Sequence, residues 1–331
     1  MQGVIVVFGG DGEDRADPQE VEVIWPGYDD DDGFDDYGYV TMGHFDPLPK
    51  IPEQSYGSFW YPGAVLLNDT MIMTCGGGYP ATNKCFGLDL VSGTWTTLPS
   101  MNHPRSETPN MLVKVQNTVL AVGGAAPGSA QIEIFNAEFN TWFPMSQWNG
   151  PLVDGFYGCT VSFTNKIMVT GRLDNWRNLI SMIFDLTTQE WKETATNPNP
   201  RSAHSCLHTT INGTEGVMLT GGTEGRTDPN DYYPGSVADF YQMETDTWIS
   251  LANSSFPGSW HQMVSYEDKP TIIGGEYELF EREVEVQGYH MRDHVQVYNP
   301  DKDRWFCCVP SMSYKRSKFA AVKVGLVYEN V

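Results

Sequence analysis

The segment from Leu120 to Met145, LAVGGAAPGSAQIEIFNAEFNTWFPM, decides the fold. An apolar run ends in two glycines, and a short polar loop leads to a second apolar run, QIEIF. A polar turn then delivers a third strand that carries Trp142. Val, Ile, Phe and Thr in short runs bounded by Gly, Asn and Pro suit pleated, half-buried sheet. Adjacent glycines let the backbone take positive φ and pass close to a neighbour. Asn and Thr before the tryptophan suit a tight hairpin.

Variants of this unit recur along the chain. Diglycines fall at Gly9-Gly10, Gly76-Gly77, Gly123-Gly124, Gly221-Gly222 and Gly274-Gly275, with a degenerate copy at Gly171-Arg172. Apolar runs precede them (VIVVF, MIMTC, IMVT, VMLT, TII), and second runs follow (GLDL, MIFDL, DFYQM, VQVY). Trp95, Trp142, Trp191, Trp248 and Trp305 close five of the six units, at separations of 47, 49, 57 and 57 residues. Self-similarity at this period is the signature of propeller blades, each a four-stranded sheet that cannot bury its faces alone. The expectation is an all-β, six-bladed propeller over residues 1–331 as one domain. Gly3 to Phe8 supplies a second strand with no first strand ahead of it. Arg316 to Val324, RSKFAAVKV, reads as a first strand with no diglycine behind it. The C-terminal strand should therefore join the N-terminal blade and close the ring, leaving no free sheet edge at the seam.

The units resemble kelch repeats, with an apolar strand, Gly-Gly, a spaced aromatic, Trp, and a Pro-Arg-Ser-like lead into the next unit. That lead appears as Pro104-Arg105-Ser106, Pro200-Arg201-Ser202 and Lys315-Arg316-Ser317. The resemblance covers essentially the whole chain and implies the propeller, but it says little of function, because kelch proteins include scaffolds, receptors, adaptors and a few enzymes. The sequence as it stands leaves no room for an N-terminal BTB-type domain, and no signal peptide is visible ahead of the first strand. It reads as a free-standing propeller of the kind found among secreted members.

The net charge of −22 argues against nucleic acid and anionic membrane, both of which need Lys and Arg to replace counterions. No run reaches transmembrane length. Cys75 ends one strand and Cys85 opens the next, so a hairpin near Pro80 sets them opposite each other, either bridged or as two buried thiols. Secreted kelch-like proteins carry similar Cys-Gly-Gly…Cys blades, which favours an extracellular setting over the cytoplasm. Sequons stand at Asn68-Asp69-Thr70, Asn212-Gly213-Thr214 and Asn253-Ser254-Ser255.

Residues 28–39 form an acidic insertion in the first unit, with six aspartates. Asp29, Asp30, Asp31 and Asp32 offer oxygens to Ca²⁺, but EF-hand spacing fails: with Gly33 at loop position six, Tyr28 and Tyr39 take positions one and twelve. A solvated loop is the plainer reading, and no cofactor is expected. Longer loops follow the fifth and sixth diglycines, at 223–235 and 276–288; the second alternates and reads as an extended hairpin.

Residues leading into each first strand should gather at the axial mouth. They supply Trp60, Tyr61, Arg105, Tyr157, Arg201, Trp260 and Arg316 as candidate contacts to a protein, peptide or glycan ligand, through stacking, cation–π and bidentate bonds. The bland alternative is that the arginines pin loops and the aromatics cap the core. An enzyme is the rival reading, either an epimerase or isomerase with His204 or His261 as acid/base, or a relative of kelch-type copper oxidases, whose Tyr-His pair Tyr289-His290 superficially matches. On a continuous strand His290 and His294 lie about 13 Å apart, too far to share a metal. No metal site is expected, and no G-x-S-x-G, P-loop or H-E-x-x-H is present.

Overall fold

The computed structural model describes residues 3–12, 21–24, 48–52, 60–107, 110–124, 126–145, 157–173, 178–224, 235–279, 288–309 and 312–325. All regular structure among them is β. Five four-stranded antiparallel sheets and one of three strands follow one another along the chain. Blade one holds Ala320–Gly325, Gly3–Phe8 and Val21–Ile24. Blade two holds Gly63–Asn68, Met71–Cys75, Cys85–Asp89 and Thr94–Leu98, and blade three Leu112–Val115, Thr118–Ala121, Glu133–Asn136 and Thr141–Pro144. Blade four runs Tyr157–Phe163, Lys166–Leu173, Asn178–Asp185 and Glu190–Glu193. Blade five runs Ser205–Ile211, Thr214–Thr220, Ala238–Gln242 and Thr247–Leu251; blade six runs Gln262–Tyr266, Lys269–Ile273, Val295–Asn299 and Arg304–Val309.

The ring closes as the sequence implies. Gly3 to Phe8 pairs antiparallel with residues 320–325, in the register Gly3↔Gly325 to Phe8↔Ala320. Each first strand lies against the first strands of the blades on either side, and blade six meets blade one. The core shows the same order. Side chains alternate across each sheet, so every blade offers one apolar face to each neighbour. Six buried clusters result, one per seam: Phe8 and Val322 of blade one, for example, pack on Ile72 and Leu88 of blade two, and Cys206 and Tyr241 of blade five on Met168 of blade four.

Two sets of backbone contacts lock the seams. The second glycine of a diglycine donates its N–H to the lead-in carbonyl of the next blade: Gly77 to Arg105 (2.8 Å), Gly222 to Gly258 (2.8 Å), Gly275 to Arg316 (3.0 Å). At Gly221-Gly222 the need for glycine is explicit. The φ values are +59° and +88°; a Cβ on Gly221 would lie 2.4 Å from the Gly258 oxygen, and one on Gly222 2.5 Å from the Ser202 oxygen. At the outer edge the repeat tryptophans reach the preceding blade. Indole N–H groups donate to the carbonyls of Pro49 from Trp95 (2.6 Å), Pro99 from Trp142 (3.0 Å), Ala195 from Trp248 (2.8 Å) and Ala252 from Trp305 (2.9 Å). Asp246 and Asp303 complete the latter two stitches. Each accepts the N–H of that same alanine (2.8 Å) and the hydroxyl of Tyr241 or Tyr298 (2.7 Å). Burial, helped by the aspartate bond, pushes both phenols up.

Cys75 and Cys85 are bridged, and a second disulfide, not anticipated from sequence, joins Cys159 to Cys206 between the first strands of blades four and five. Cys307 is also disulfide-bonded. The acidic run, including Asp29, Asp30, Asp31 and Asp32, lies outside the described residues, as does most of the 223–235 loop. The ends of the 276–288 loop form the expected hairpin, Glu276–Leu279 against Gly288–Met291.

Reduction should open a 47-residue covalent loop across one seam and lower unfolding free energy by about 2–4 kcal/mol. Urea denaturation with and without reductant measures this, and coincident curves would contradict it.

Candidate functional site

The arginines of the Pro-Arg-Ser leads are not at the mouth. Arg105, Arg201 and Arg316 are 0%, 4% and 2% exposed. Arg105 donates to the carbonyls of Gly123 (2.8 Å) and Ser129 (2.7 Å) and pairs with Glu133 (3.0 Å). Arg201 donates to Val237 (2.6 Å) and Gly221 (3.4 Å) and pairs with Asp239. Arg316 donates to Gly9 (3.2 Å) and pairs with Glu22 (3.3 Å). The expected arginine collar is therefore corrected: each guanidinium turns back into its own blade, fastening the lead-in to the diglycine carbonyl and the third strand. The physical reason is the acid at the start of that third strand, in a site where an unpaired charge would be costly. Blade six shows the converse, with uncharged Gly258 and Gln296 at the two equivalent positions.

His204 and His261 are 0% and 3% exposed, so neither reaches the mouth as an acid or base. The His261 ring bonds the Thr220 hydroxyl (2.9 Å) and packs over Gly221 of the preceding blade. Phe319 of blade one packs over Gly274 in the same way, which marks this as a packing position. Both nitrogens of His204 lack a hydrogen-bond partner. Burial holds His204 down to about 3 and His261 down to about 4, and the charge of Arg201 acts in the same direction.

The aromatic candidates do converge. Just past the arginine position five lead-ins hold a non-glycine residue in the left-handed region among the described residues: Tyr61 (φ 56°), Glu107 (62°), Ala203 (54°), Trp260 (55°) and Lys318 (59°). Four of them hydrogen-bond in sequence around the axis. Tyr61 N–H donates to the Lys318 carbonyl (2.6 Å), Lys318 N–H to Trp260 (3.1 Å), and Trp260 N–H to Ala203 (3.0 Å). Backbone in this region costs about 1–2 kcal/mol per residue, and is kept where surrounding structure over-determines it. The consequence is a contact across the ring: Tyr61 from blade two and Trp260 from blade six meet edge to face at 4.8 Å, although blade one separates their sheets. Lys318 Nζ lies 5.9 Å from the Tyr61 ring and 6.0 Å from the half-buried Trp60 ring, within cation–π reach. Glu276 holds that ammonium at 3.1 Å, with Asp11 at 3.9 Å. Deeper in, Asn110 of blade three reaches past blade four to the Cys206 carbonyl (3.3 Å). The Tyr157 backbone opens blade four's first strand, and its side chain lies outside the described residues.

Lys318 and Glu276 were missed in the sequence. RSKFAAVKV was read as continuous strand, whereas the strand starts only at Ala320. The signal was available: Lys318 stands two residues after Arg316, as Ala203 stands after Arg201. No group of three or more His, Cys, Asp or Glu side chains among the described residues could hold a metal. The His290–His294 strand does break, after Met291.

Because both buried imidazoles are neutral when folded while the unfolded chain protonates them near the ordinary value of about 6.5, stability is full above that pH and falls as pH drops towards 4. The expected loss is roughly 2–3 kcal/mol per ring by about pH 4.5. Replacing His261 by Phe, as blade one does at Phe319, should flatten the slope; urea midpoints at about pH 7 and pH 4.5 test it, and an unchanged slope in both His261→Phe and His204→Phe would overturn it.

No family model matches the chain. Kelch-like protein terF of Aspergillus terreus is 27% identical over 232 residues, covering 66% of this chain and 47% of that protein. Kelch repeat-containing protein kel-10 of Caenorhabditis elegans is 25% identical over 212 residues, 63% of this chain and 34% of its own. Kelch-like protein 15 of Mus musculus is 25% identical over 215 residues, 60% and 34%. The chain thus spans less than half the length of these relatives. The solved structure of YjhT superposes with a TM-score of 0.68 at 15% identity, covering 83% of this chain and 89% of that one, a likeness of fold alone. Repeat, ring and relatives agree on a six-bladed kelch-type β-propeller, and the chain is similar to kelch-repeat proteins.

Proposed function

We propose that the protein is a recognition module that binds a protein, peptide or glycan ligand at the axial mouth formed by its lead-in loops. The kelch relatives and the propeller fold support a protein-interaction module in general. The observation that carries the finer reading is the meeting of the Tyr61 and Trp260 rings at 4.8 Å, from blades that are not neighbours, beside Lys318. Aromatic rings held by rigid backbone offer large contact area at little entropic cost, and an adjacent cation adds direction. Among the described residues no helix is long and apolar enough to cross a membrane.

The test compares two doubly substituted proteins on peptide and glycan arrays. Tyr61→Ala/Trp260→Ala should weaken every ligand bound by the native protein about tenfold or more, the usual scale for aromatic anchors. Val91→Ser/Phe139→Ser changes exposed turn residues on the opposite face and should bind as native. The reverse pattern, with both proteins folded by near-ultraviolet circular dichroism, would sink the reading.

A further inference from the structure

The repeat provides an internal standard for what the scaffold requires, and one arginine departs from it. Arg292 donates its backbone N–H to the Gly275 carbonyl (2.9 Å) and accepts from Arg316 N–H (3.1 Å). The same pair of bonds is made in blade five by Gly235, to Gly222 (2.7 Å) and from Gly258 (3.1 Å), and in blade two by Thr82, to Gly77 (2.9 Å) and from Arg105 (3.0 Å). A glycine or a threonine therefore satisfies the fold at this position, and the guanidinium of blade six is surplus to it.

The surroundings of this half-buried side chain are equally unlike those of the buried arginines. Arg105, Arg201 and Arg316 each face a carboxylate. Arg292 faces none among the described residues. Its guanidinium carbon lies over two rings, 4.5 Å from the centre of Phe256 and 4.2 Å from that of Tyr277. The stack continues outward to His294 on Phe256 (5.4 Å) and His290 on Tyr277 (5.5 Å). The neighbouring acid, Asp293, bonds His294 Nδ1 at 2.8 Å instead. Nε of Arg292 is buried and has no hydrogen-bond partner among the described residues. Beside the two rings, the terminal nitrogens of a guanidinium form the fork that matches a carboxylate bidentately. Burial works against the charge of this group, and an anion in the fork would offset that. In a chain with 42 Asp and Glu against 20 Lys and Arg residues, an arginine over two rings with no carboxylate partner among the described residues is a fitting receptor for an acid from outside. The place is consistent with the mouth, since Tyr277 follows Glu276, whose carboxylate holds Lys318 there.

We propose that Arg292, clamped by Phe256 and Tyr277, is a ligand-binding residue that receives a carboxylate group at the blade-six edge of the axial mouth. The inference deepens the recognition reading above and rests on it for the face involved. The carboxylate can come from an acidic peptide side chain or a sugar acid, and the two probes distinguish these sources.

The experiment uses the full chain labelled with ¹⁵N and titrates glucuronate and N-acetyl-glutamate amide, with glucose and N-acetyl-glutamine amide as uncharged counterparts. The Arg292 Nε–H resonance is followed, assigned by its loss in Arg292→Gln. At least one acid should shift it saturably, at least tenfold more tightly than its neutral counterpart. Binding should drop at least tenfold in Arg292→Gln and also in Arg292→Lys, which keeps the charge but not the fork. Arg292→Gly, which copies Gly235, guards against misfolding and should behave as Arg292→Gln with an unchanged thermal midpoint. No saturable shift with either acid, equal binding of acid and neutral counterpart, or acid binding undiminished in the Gln and Gly variants would overturn the assignment. Ligands lost on the arrays in Tyr61→Ala/Trp260→Ala while no acid shifts Arg292 would refute this inference and leave the mouth reading standing. Acid binding with array ligands undisturbed would do the opposite.

Discussion

Three seams of this ring are held where two backbones come into direct contact. The N–H of a second glycine points into the lead-in carbonyl of the next blade, at 2.8 to 3.0 Å for Gly77, Gly222 and Gly275. Such an approach tolerates no Cβ, which is why the diglycine is the most regular mark in the sequence. Much else follows from it. The lead-in, once fixed to the neighbouring blade, must turn sharply to begin its own first strand. It does so through one residue in the left-handed region, and that residue carries its side chain to the axis. The cluster of lead-in side chains is thus a by-product of blade stitching, with the chemistry of five such positions left open by the fold. Tyr61, Glu107, Ala203, Trp260 and Lys318 have nothing in common except their φ.

The arginine of the lead-in illustrates why legibility in sequence stops where it does. Blade count, strand order and the closure of residues 320–325 on residues 3–8 could all be read from the diglycines and tryptophans, because each of those residue types answers a steric demand that few others meet. An arginine answers two demands equally well in one dimension, since it can project into solvent or turn back into its blade. What decides is an acid some 28 to 38 residues further on in blades three and five, Glu133 for Arg105 and Asp239 for Arg201. Their pairing is visible once the third strands are aligned. Blade six, with Gly258 against Gln296, makes the correlation legible in retrospect. Aromatic lead-ins had no such competing partner, and Tyr61 and Trp260 meet at 4.8 Å. Cys159 and Cys206 were missed for a related reason. Their adjacency depends on first strands of neighbouring blades lying side by side, a contact that spacing alone does not express.

Repeat proteins allow an argument that single-copy folds do not. When the same backbone hydrogen bonds are satisfied by Thr82, Gly235 and Arg292, the scaffold's demand at that position is measured within one molecule. The demand is for an N–H and a C=O and no more. Residues that match their counterparts are explained by the fold, as His261 is by Phe319. Residues that exceed their counterparts need another cause. At Arg292 the excess is a charge, and the surrounding stack of Phe256, Tyr277, His290 and His294 is too ordered to be indifferent to it. Two of those four side chains, Tyr277 and His290, face each other across the paired strands of a hairpin seen, among the described residues, in blade six. Among the described residues, hairpin, rings and a guanidinium without a carboxylate thus occur together in one blade. A packing requirement would appear in every blade; a feature seen in one breaks the pseudo-symmetry of the ring and, on the recognition reading, would give a ligand a single orientation in which to bind.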